Sequence, residues 1–197
     1  MDEEKADRRV QRTRQLLRQA IMELVEERGF DAVTIQDITD RANLGRTTFY
    51  THYQSKEDLF LDCHHEMVHH MIEGFFVSDD LLNENGYAGL AIHLGHIREN
   101  RALYYDIMRG SGSEVINRGL MNQLAIHIEN SLKAHFDEAV SSIPFDVLAH
   151  YIAGAQMSLA NWWIENRAPY SAEDIARMLY RLQKAAICDT LGLFDSP

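Results

Sequence analysis

The chain has 197 residues, 46% of them hydrophobic, which suits one substantial core or a small domain attached to a larger one. No apolar run approaches the roughly 18 residues that span a bilayer, the charged N-terminus lacks the apolar stretch of a secretory signal, and two cysteines make no disulfide framework, so we expect a cytoplasmic protein. The net charge of −11 belongs to the part after residue 56, because residues 1–56 carry ten basic and ten acidic side chains.

The first two predicted elements are helices. Residues 8–28 should form the first, because apolar side chains recur there at helical spacing: Val10, Leu17, Ala20, Ile21 and Leu24. Gly29 follows as the residue that ends such a helix. A second helix begins after Thr34, a good N-cap, with Asp37 three residues later, where a capping box would place Glu or Gln.

A tight turn at residues 43–45 comes next, because Asn43 and Gly45 both tolerate a positive φ. A short third helix should run from Arg46 to about His52, and Ser55 should cap a fourth. A short helix, a tight turn and another short helix make a helix-turn-helix, whose second helix enters the major groove of DNA.

The outer face of the third helix is the predicted DNA contact. Arginine can bond guanine edges, threonine can bond a base or touch a thymine methyl group, and tyrosine and histidine can reach phosphate. The start of the fourth helix offers backbone N–H groups to a phosphate. The predicted DNA-binding residues are Thr34, Arg46, Thr47, Tyr50, Thr51, His52 and Lys56, while Leu44, Phe49 and Tyr53 should point inward.

Two alternatives stay open from these residues. The helix pair could be a protein-interaction module that does not bind DNA. The fourth helix could instead hold a transition metal, since His65 and His69 share a helix face, and the chain would then be a helical metal-dependent enzyme or sensor. No obvious carboxylate or further thiol completes this cluster, which comprises Cys63, His64, His65, His69 and His70.

The remainder also reads as helical, with segments at 87–100, 102–108, 114–136, 146–166 and 172–191. Pro144 breaks the chain and Ser171 should cap the last helix. The stretch 109–114 is rich in glycine, but it lacks the Lys-Ser/Thr ending of a phosphate-binding loop, so it predicts a loop before a helix. Helix 146–166 should place two groups on separate stripes: Leu148, Ile152, Ala155, Leu159 and Trp162, and Tyr151, Gly154 and Ser158.

Residues 10–70 resemble the N-terminal domain of TetR-family transcriptional regulators of the TetR/AcrR type. Gly45 stands where the family usually has Ser, and Thr47 where a small residue is common, so operator specificity is not carried over. Residues 159–175 are similar to the C-terminal part of one TetR subgroup. The resemblance rests on Ala20, Leu24, Gly29, Thr34, Ile38, Ala42, Thr48, Phe49, Tyr50, Tyr53, Lys56, Leu59 and Phe60.

The resemblance implies an all-α fold of about nine helices in two domains. Residues 10–70 would form the DNA-binding domain, with its helix-turn-helix at 34–53, and residues 74–194 the effector-binding and dimerisation domain. The implied function is a ligand-responsive, sequence-specific repressor that a small molecule releases from a palindromic operator. The protein would be a regulator of the bacterial type that binds double-stranded operator DNA as a homodimer. It would have no enzyme activity, cofactor or metal.

The resemblance also implies an effector pocket in the middle helices and a dimer interface on the last two. Methionine and aromatic side chains suit an adaptable apolar pocket, and the absence of an Arg or Lys cluster favours a neutral or cationic effector. Predicted pocket residues are Met67, Met71, Tyr105, Met108 and Trp162. Predicted interface residues are Tyr151, Gly154, Ser158, Leu179 and Leu182.

Overall fold

The computed structural model describes the backbone of residues 2–72 and 87–193 and the side chains of residues 8–69 and 87–193. Those residues confirm the predicted all-α class with nine α-helices and one 3₁₀ turn, Glu138–Val140. Among them no helix has both the length and the apolar character to cross a bilayer. The helices are α1 (Asp2–Arg28), α2 (Ile35–Arg41), α3 (Arg46–His52), α4 (Lys56–Ile72), α5 (Ala88–Glu99), α6 (Arg101–Arg109), α7 (Ser113–His135), α8 (Phe145–Glu165) and α9 (Ala172–Thr190).

The chain divides into two compact units. The first consists of Met1–Met67 together with Tyr105–Asn117, and the second of Val68–Tyr104 together with Arg118–Pro197. Helices α6 and α7 therefore each contribute to both units, and the turn between them belongs to the first. No composition shift in the sequence indicates this second segment, because its link to residues 1–67 is a long-range contact.

The first unit packs α1 to α4 around one apolar core. The sequence predicts Val10 on the buried stripe of α1, but its side chain is 42% exposed. Leu17 is the first fully buried residue of that stripe, and Val10 precedes it by about two helical turns. The rings of Phe30 and Phe60 meet edge to face with centroids 5.4 Å apart. The other buried apolar residues of α1 to α4 and their turns are Ala20, Ile21, Leu24, Val25, Val33, Ile38, Ala42, Phe49, Tyr53, Leu59 and Cys63.

Residues in the left-handed region end the first two helices. Gly29 has φ +78°, which confirms its predicted place after α1. After α2 the left-handed residue is Asn43, at φ +53°, and the N–H of Leu44 bonds back to the carbonyl of Thr39 at 2.9 Å. Gly45 has φ −78°, so of the two residues that tolerate a positive φ only Asn43 adopts one, and Gly45 serves as the extended N-cap of α3.

The second unit is held together by α7, α8 and α9. Trp163 of α8 is fully buried and its indole N–H donates to the carbonyl of Tyr170 at 3.0 Å, which fixes the loop before α9. Of the first predicted stripe of α8, Leu148 and Ile152 are buried, whereas Ala155 and Trp162 are exposed. The shared core contains Ala125, Ile128, Leu132, Phe145, Leu148, Ala149, Ile152, Ala153, Ile187 and Leu191.

Candidate nucleic-acid interface

A complete capping box starts α2. The N–H of Asp37 donates to the Thr34 hydroxyl at 3.2 Å, and the N–H of Thr34 donates to the Asp37 carboxylate at 2.9 Å. Arg28, at the end of α1, pairs with the same carboxylate at 2.9 Å. Hydrogen bonds from the Thr34 hydroxyl and N–H, followed by that from Arg28, lower the pKa of Asp37 to about 2. Asp37, whose side chain is shorter than that of Glu, thus closes the capping box, and its ion pair with Arg28 ties the start of α2 to α1.

A second ion-pair group joins α2 to α1 at the surface. The Arg41 guanidinium donates to both carboxylate oxygens of Glu27, at 2.9 and 2.8 Å, and to Glu23 at 3.1 Å. The hydrogen bond from Arg41 is the main cause that lowers the pKa of Glu27. Because a guanidinium and a carboxylate match in this forked geometry, the contact sets the orientation of α2 as well as its distance from α1.

Helix α3 presents one buried and one exposed face. Phe49 is fully buried, whereas Arg46, Thr47 and Tyr50 are exposed, Tyr50 by 53%. Thr51 is exposed as well, and its hydroxyl donates to the carbonyl of Thr47 at 2.9 Å, which leaves its methyl group and both oxygen lone pairs for an outside partner. The structure therefore brings the predicted base-reading side chains together on one short, solvent-facing surface.

The end of α3 is anchored by a polar network that the sequence analysis does not anticipate. Tyr53 donates its hydroxyl to Asp62 of α4, and Arg18 of α1 donates to the same carboxylate at 2.6 Å. Burial alone would raise the pKa of Asp62, but these two hydrogen bonds outweigh it and lower that pKa. The Arg14 guanidinium stands 5.6 Å from the centroid of the Tyr53 ring. Helices α1, α3 and α4 are thus fixed to one another beside the exposed face of α3.

Lys56 has a role in the structure that differs from the predicted one. Its ammonium donates to the carbonyls of Phe30 at 2.9 Å and Val33 at 3.0 Å, and more distantly to that of Asp31 at 3.4 Å. It also stands 4.5 Å from the Phe30 ring centroid. The ammonium therefore caps the turn between α1 and α2, and a phosphate contact would have to replace some of these bonds.

Two further predicted DNA contacts, Thr34 and His52, differ from the exposed side chains of α3, although Thr34 is itself exposed. The Thr34 hydroxyl is engaged in the capping box, and His52 is half-buried. The predicted N-cap of α4 is confirmed, since the N–H of Asp58 donates to the Ser55 hydroxyl at 3.2 Å.

The predicted pocket residues have different surroundings. Tyr105 is 36% exposed, and the Arg109 guanidinium stands 5.1 Å from the centroid of its ring. Met67 and Met108 are half-buried in the first unit, and Trp162 is exposed in the second. The side chain of Met71 lies outside the described residues, so its predicted role stays a prediction.

The predicted interface residues separate into two groups. Tyr151 and Leu182 are 65% and 67% exposed, Ser158 is exposed and Gly154 is half-buried, so they lie on the outer faces of α8 and α9. Leu179 is only 3% exposed and belongs to the core of its own subunit, so its position does not fit the predicted interface. Exposed apolar residues that the sequence analysis does not assign to this face are Val147, Trp162 and Met178.

The histidines of α4 and α5 show no metal site within the described residues. No group of three or more His, Cys, Asp or Glu side chains there could hold a metal ion, and His70 falls outside them. Burial raises the pKa of the Cys63 thiol to about 12. In α5, burial and then the neighbouring His96 lower the pKa of His93 to about 4.

The arrangement of α2 and α3 is that of a helix-turn-helix, and comparisons with known proteins agree with it. Residues 17–63 match the family described as bacterial regulatory proteins, tetR family, and residues 84–185 match a transcriptional regulator C-terminal region. The chain belongs to the TetR family of transcriptional regulators.

One curated relative and two solved structures illustrate this similarity. An uncharacterized HTH-type transcriptional regulator of Bacillus subtilis (strain 168), YxbF, is 47% identical over 58 residues, which are 29% of this chain and only 15% of that protein. The Thermus thermophilus repressor FadR in complex with lauroyl-CoA matches 86% of this chain and 92% of its own, at 18% identity and a TM-score of 0.63. The dihydroxyacetone kinase operon activator DhaS matches 93% and 98%, at 19% identity and a TM-score of 0.54.

Proposed function

We propose that this TetR-family regulator is a homodimeric repressor that reads a palindromic operator and releases it when a small molecule binds. The observation that carries the proposal is the exposed face of α3, where Arg46, Thr47 and Tyr50 stand free of the core while Phe49 anchors the helix beneath them. Packing does not require polar side chains at these positions, whereas base recognition does.

The chemistry of each side chain suggests a division of labour on DNA. Arg46 and Thr47, in the first turn of α3, would face base edges, because an arginine can bond both acceptors of a guanine and a threonine can touch a thymine methyl group. Tyr50, Thr51 and His52 would reach the sugar-phosphate backbone and fix the register of the helix in the groove.

A dimer is proposed because α3 is short. Helix α3 has seven residues, so one subunit reads few base pairs, and two recognition helices about one DNA turn apart would supply the missing specificity. The outer faces of α8 and α9 carry the exposed apolar side chains of Tyr151, Leu182 and Met178 beside Gly154 and Ser158. A two-fold pairing of these faces would bury more than roughly 1,000 Å², the extent of a stable interface.

Regulation would proceed by a shift of population. An effector that binds better to one arrangement of the C-terminal helices would favour that arrangement, in which the two recognition helices no longer match successive grooves. FadR of Thermus thermophilus binds lauroyl-CoA, which supports ligand responsiveness. FadR is described as a repressor and DhaS as an activator, so these two structures support either direction of regulation. We propose repression and a neutral or cationic effector with apolar surface.

Selection of bound duplexes from a random DNA pool tests the proposal. Wild-type protein should enrich one palindromic consensus, and an Arg46→Ala, Tyr50→Ala double variant should enrich none. An exposed arginine of α5 that the DNA proposal does not use, replaced in an Arg98→Ala variant, serves as the control and should enrich the wild-type consensus. Sequence-independent binding by the wild-type protein, or a metal that co-purifies in equal amount, would favour the alternatives instead.

Release is tested with the selected duplex. Neutral and cationic apolar compounds are compared with lauroyl-CoA for their ability to dissociate the complex and to quench tryptophan fluorescence over the same concentrations. Release by lauroyl-CoA alone would contradict the proposed effector chemistry without affecting the DNA-binding proposal.

A further inference from the structure

Arg9 and Arg12 of α1, the α1 arginine pair, are exposed cations without a carboxylate partner. Within the described residues, no Asp or Glu side chain forms an ion pair with either guanidinium. An α-helix brings together side chains three or four positions apart, and neither arginine has an acidic residue at that spacing on either side. From residue 8 to residue 22 the chain carries five arginines and no acid, so positive charge accumulates along this stretch.

By contrast, the arginines that join the helices of the first unit are neutralised. Arg18, Arg28 and Arg41 each contact a carboxylate oxygen, at 2.6, 2.9 and 2.8 Å. Arg46, on the exposed face of α3, resembles the α1 arginine pair, since no carboxylate of the described residues pairs with it either. In a chain with a net charge of −11, exposed arginines that remain uncompensated mark a surface that can attract an anion.

The α1 arginine pair lies on the side of α1 that faces α2. Arg9 precedes Glu27 by 18 residues, and Arg12 precedes Glu23 by 11, which are about five and three turns of an α-helix. Each arginine therefore shares a helix face with one of these acids. Both acids bind Arg41 of α2, so the pair continues the α2-facing side of α1 toward the start of that helix.

Helix α3 ends next to the same stretch of α1. The Arg14 guanidinium stands 5.6 Å from the centroid of the Tyr53 ring, and Tyr53 is the C-cap of α3. Arg12 and Arg9 precede Arg14 by only about 3 and 7.5 Å along the helix axis. The side chains of residues 8–12 are all exposed, so this part of α1 extends past the core of the unit.

The DNA backbone is the anion that fits this position. The major groove is about 12 Å wide and is bordered by phosphates, so a helix that enters it brings the segments beside its ends close to those phosphates. A guanidinium matches a phosphate in a forked, charge-assisted geometry. Two arginines on one helix face, beside the end of α3, are therefore suited to contact with the backbone.

We propose that the α1 arginine pair is a second DNA-binding surface, which contacts phosphates beyond the bases that α3 reads. The proposal rests on the proposed function for the operator itself. The pair adds affinity and lengthens the bound duplex, but it carries no base preference, because phosphates are the same at every position.

The test compares an Arg9→Gln, Arg12→Gln variant with a matched control, Arg98→Gln, Arg167→Gln, in the full chain. The control removes the same charge from exposed positions of the second unit. With the duplex selected by wild-type protein, the slope of log affinity against log salt should fall by about two per subunit in the first variant and stay at the wild-type value in the control. The selected consensus should be the same for all three proteins.

The length of the duplex provides a second measurement. When about four base pairs of arbitrary sequence are added at each end of the consensus, wild-type protein should gain about tenfold more affinity than the Gln variant does. An Arg9→Lys, Arg12→Lys variant keeps both charges and should restore the salt slope and the gain in affinity. Every variant should keep wild-type helical content by circular dichroism.

An unchanged salt slope in the Gln variant would overturn the inference, as would an equal fall in the control, which would show an effect of net charge alone. If a consensus is selected but the slope does not change, only the inference fails and the proposed function stands. If wild-type protein selects no consensus, the proposed function fails, and the salt slope on a random duplex, which presents the same phosphates, still decides on the α1 arginine pair.

Discussion

Replacement of Lys56 by methionine should destabilise the protein, because the ammonium closes the α1–α2 turn. Two of its hydrogen bonds, to the partly buried carbonyls of Phe30 and Val33, are 2.9 and 3.0 Å long, and the third is 3.4 Å. A hydrogen bond to a charged group contributes about 1.5–3 kcal/mol, and such bonds made by one group do not add fully, so we expect a loss of about 2–4 kcal/mol. Methionine keeps the aliphatic stem and a similar helix propensity.

The free energy of unfolding is measured by urea titration with far-ultraviolet circular dichroism, at one fixed protein concentration because dimerisation would couple stability to concentration. Lys133→Met is the control, since Lys133 is exposed and its ion pair with Glu129 lies along its own helix. The control should show no measurable change.

The salt dependence of DNA binding separates this role from a phosphate contact. If the ammonium stays on the turn, Lys56→Met should leave the slope of log affinity against log salt unchanged, whereas loss of a phosphate contact lowers it by about one per subunit. Unchanged stability together with a reduced slope would refute the reasoning from the structure and restore the prediction made from the sequence.

Three further outcomes are expected. Arg46→Ala should lose about 1–3 kcal/mol of discrimination at particular operator positions, measured by competition among single-base variants, and uniform weakening would contradict its assignment to base edges. Ser158→Glu should sediment as a monomer, unlike the exposed control Asn130→Glu, and a dimeric variant would contradict the proposed interface. Burial lowers the pKa of His93 in the folded protein to about 4, below the pKa of the same side chain in the unfolded chain. The neutral imidazole therefore makes its full contribution to stability above pH 6.5, and that contribution falls as the pH drops toward 4. The free energies of unfolding measured by urea titration at pH 7.5 and at pH 5 should therefore differ by about 2 kcal/mol less in His93→Gln than in the wild type. An equal difference in the two proteins would contradict this attribution.

The sequence predicts what depends on local chemistry. Ser55, Ser171 and Gly29 stand where the structure has two N-caps and a C-terminal cap, because each of these roles involves residues only a few positions apart. Helix periodicity likewise gives most helix bounds to within a residue or two, although α1 begins at Asp2 and not near residue 8.

Long-range contacts explain what the sequence does not predict. Lys56 lies in the first turn of α4, a favourable place for phosphate, but its partners are carbonyls more than twenty residues earlier. The bonds from Arg18 and Tyr53 to Asp62 also join distant helices, and no spacing rule connects these positions. The adjacent tryptophans show a further limit, since a stripe drawn at helical spacing selects Trp162 although Trp163 is the buried one.

The first compact unit takes its residues from two separate stretches of the chain, which bears on its synthesis. The ribosome completes Met1–Met67 before it makes Tyr105–Asn117, so Asp31 emerges well before its hydrogen-bonding partner Ser111. At about 5–20 residues per second the interval is a few seconds, which is long compared with the formation of a helix. The recognition helix should consequently form on the nascent chain before the contact at Asp31 exists, and a fragment cut at residue 67 would preserve that earlier stage of folding.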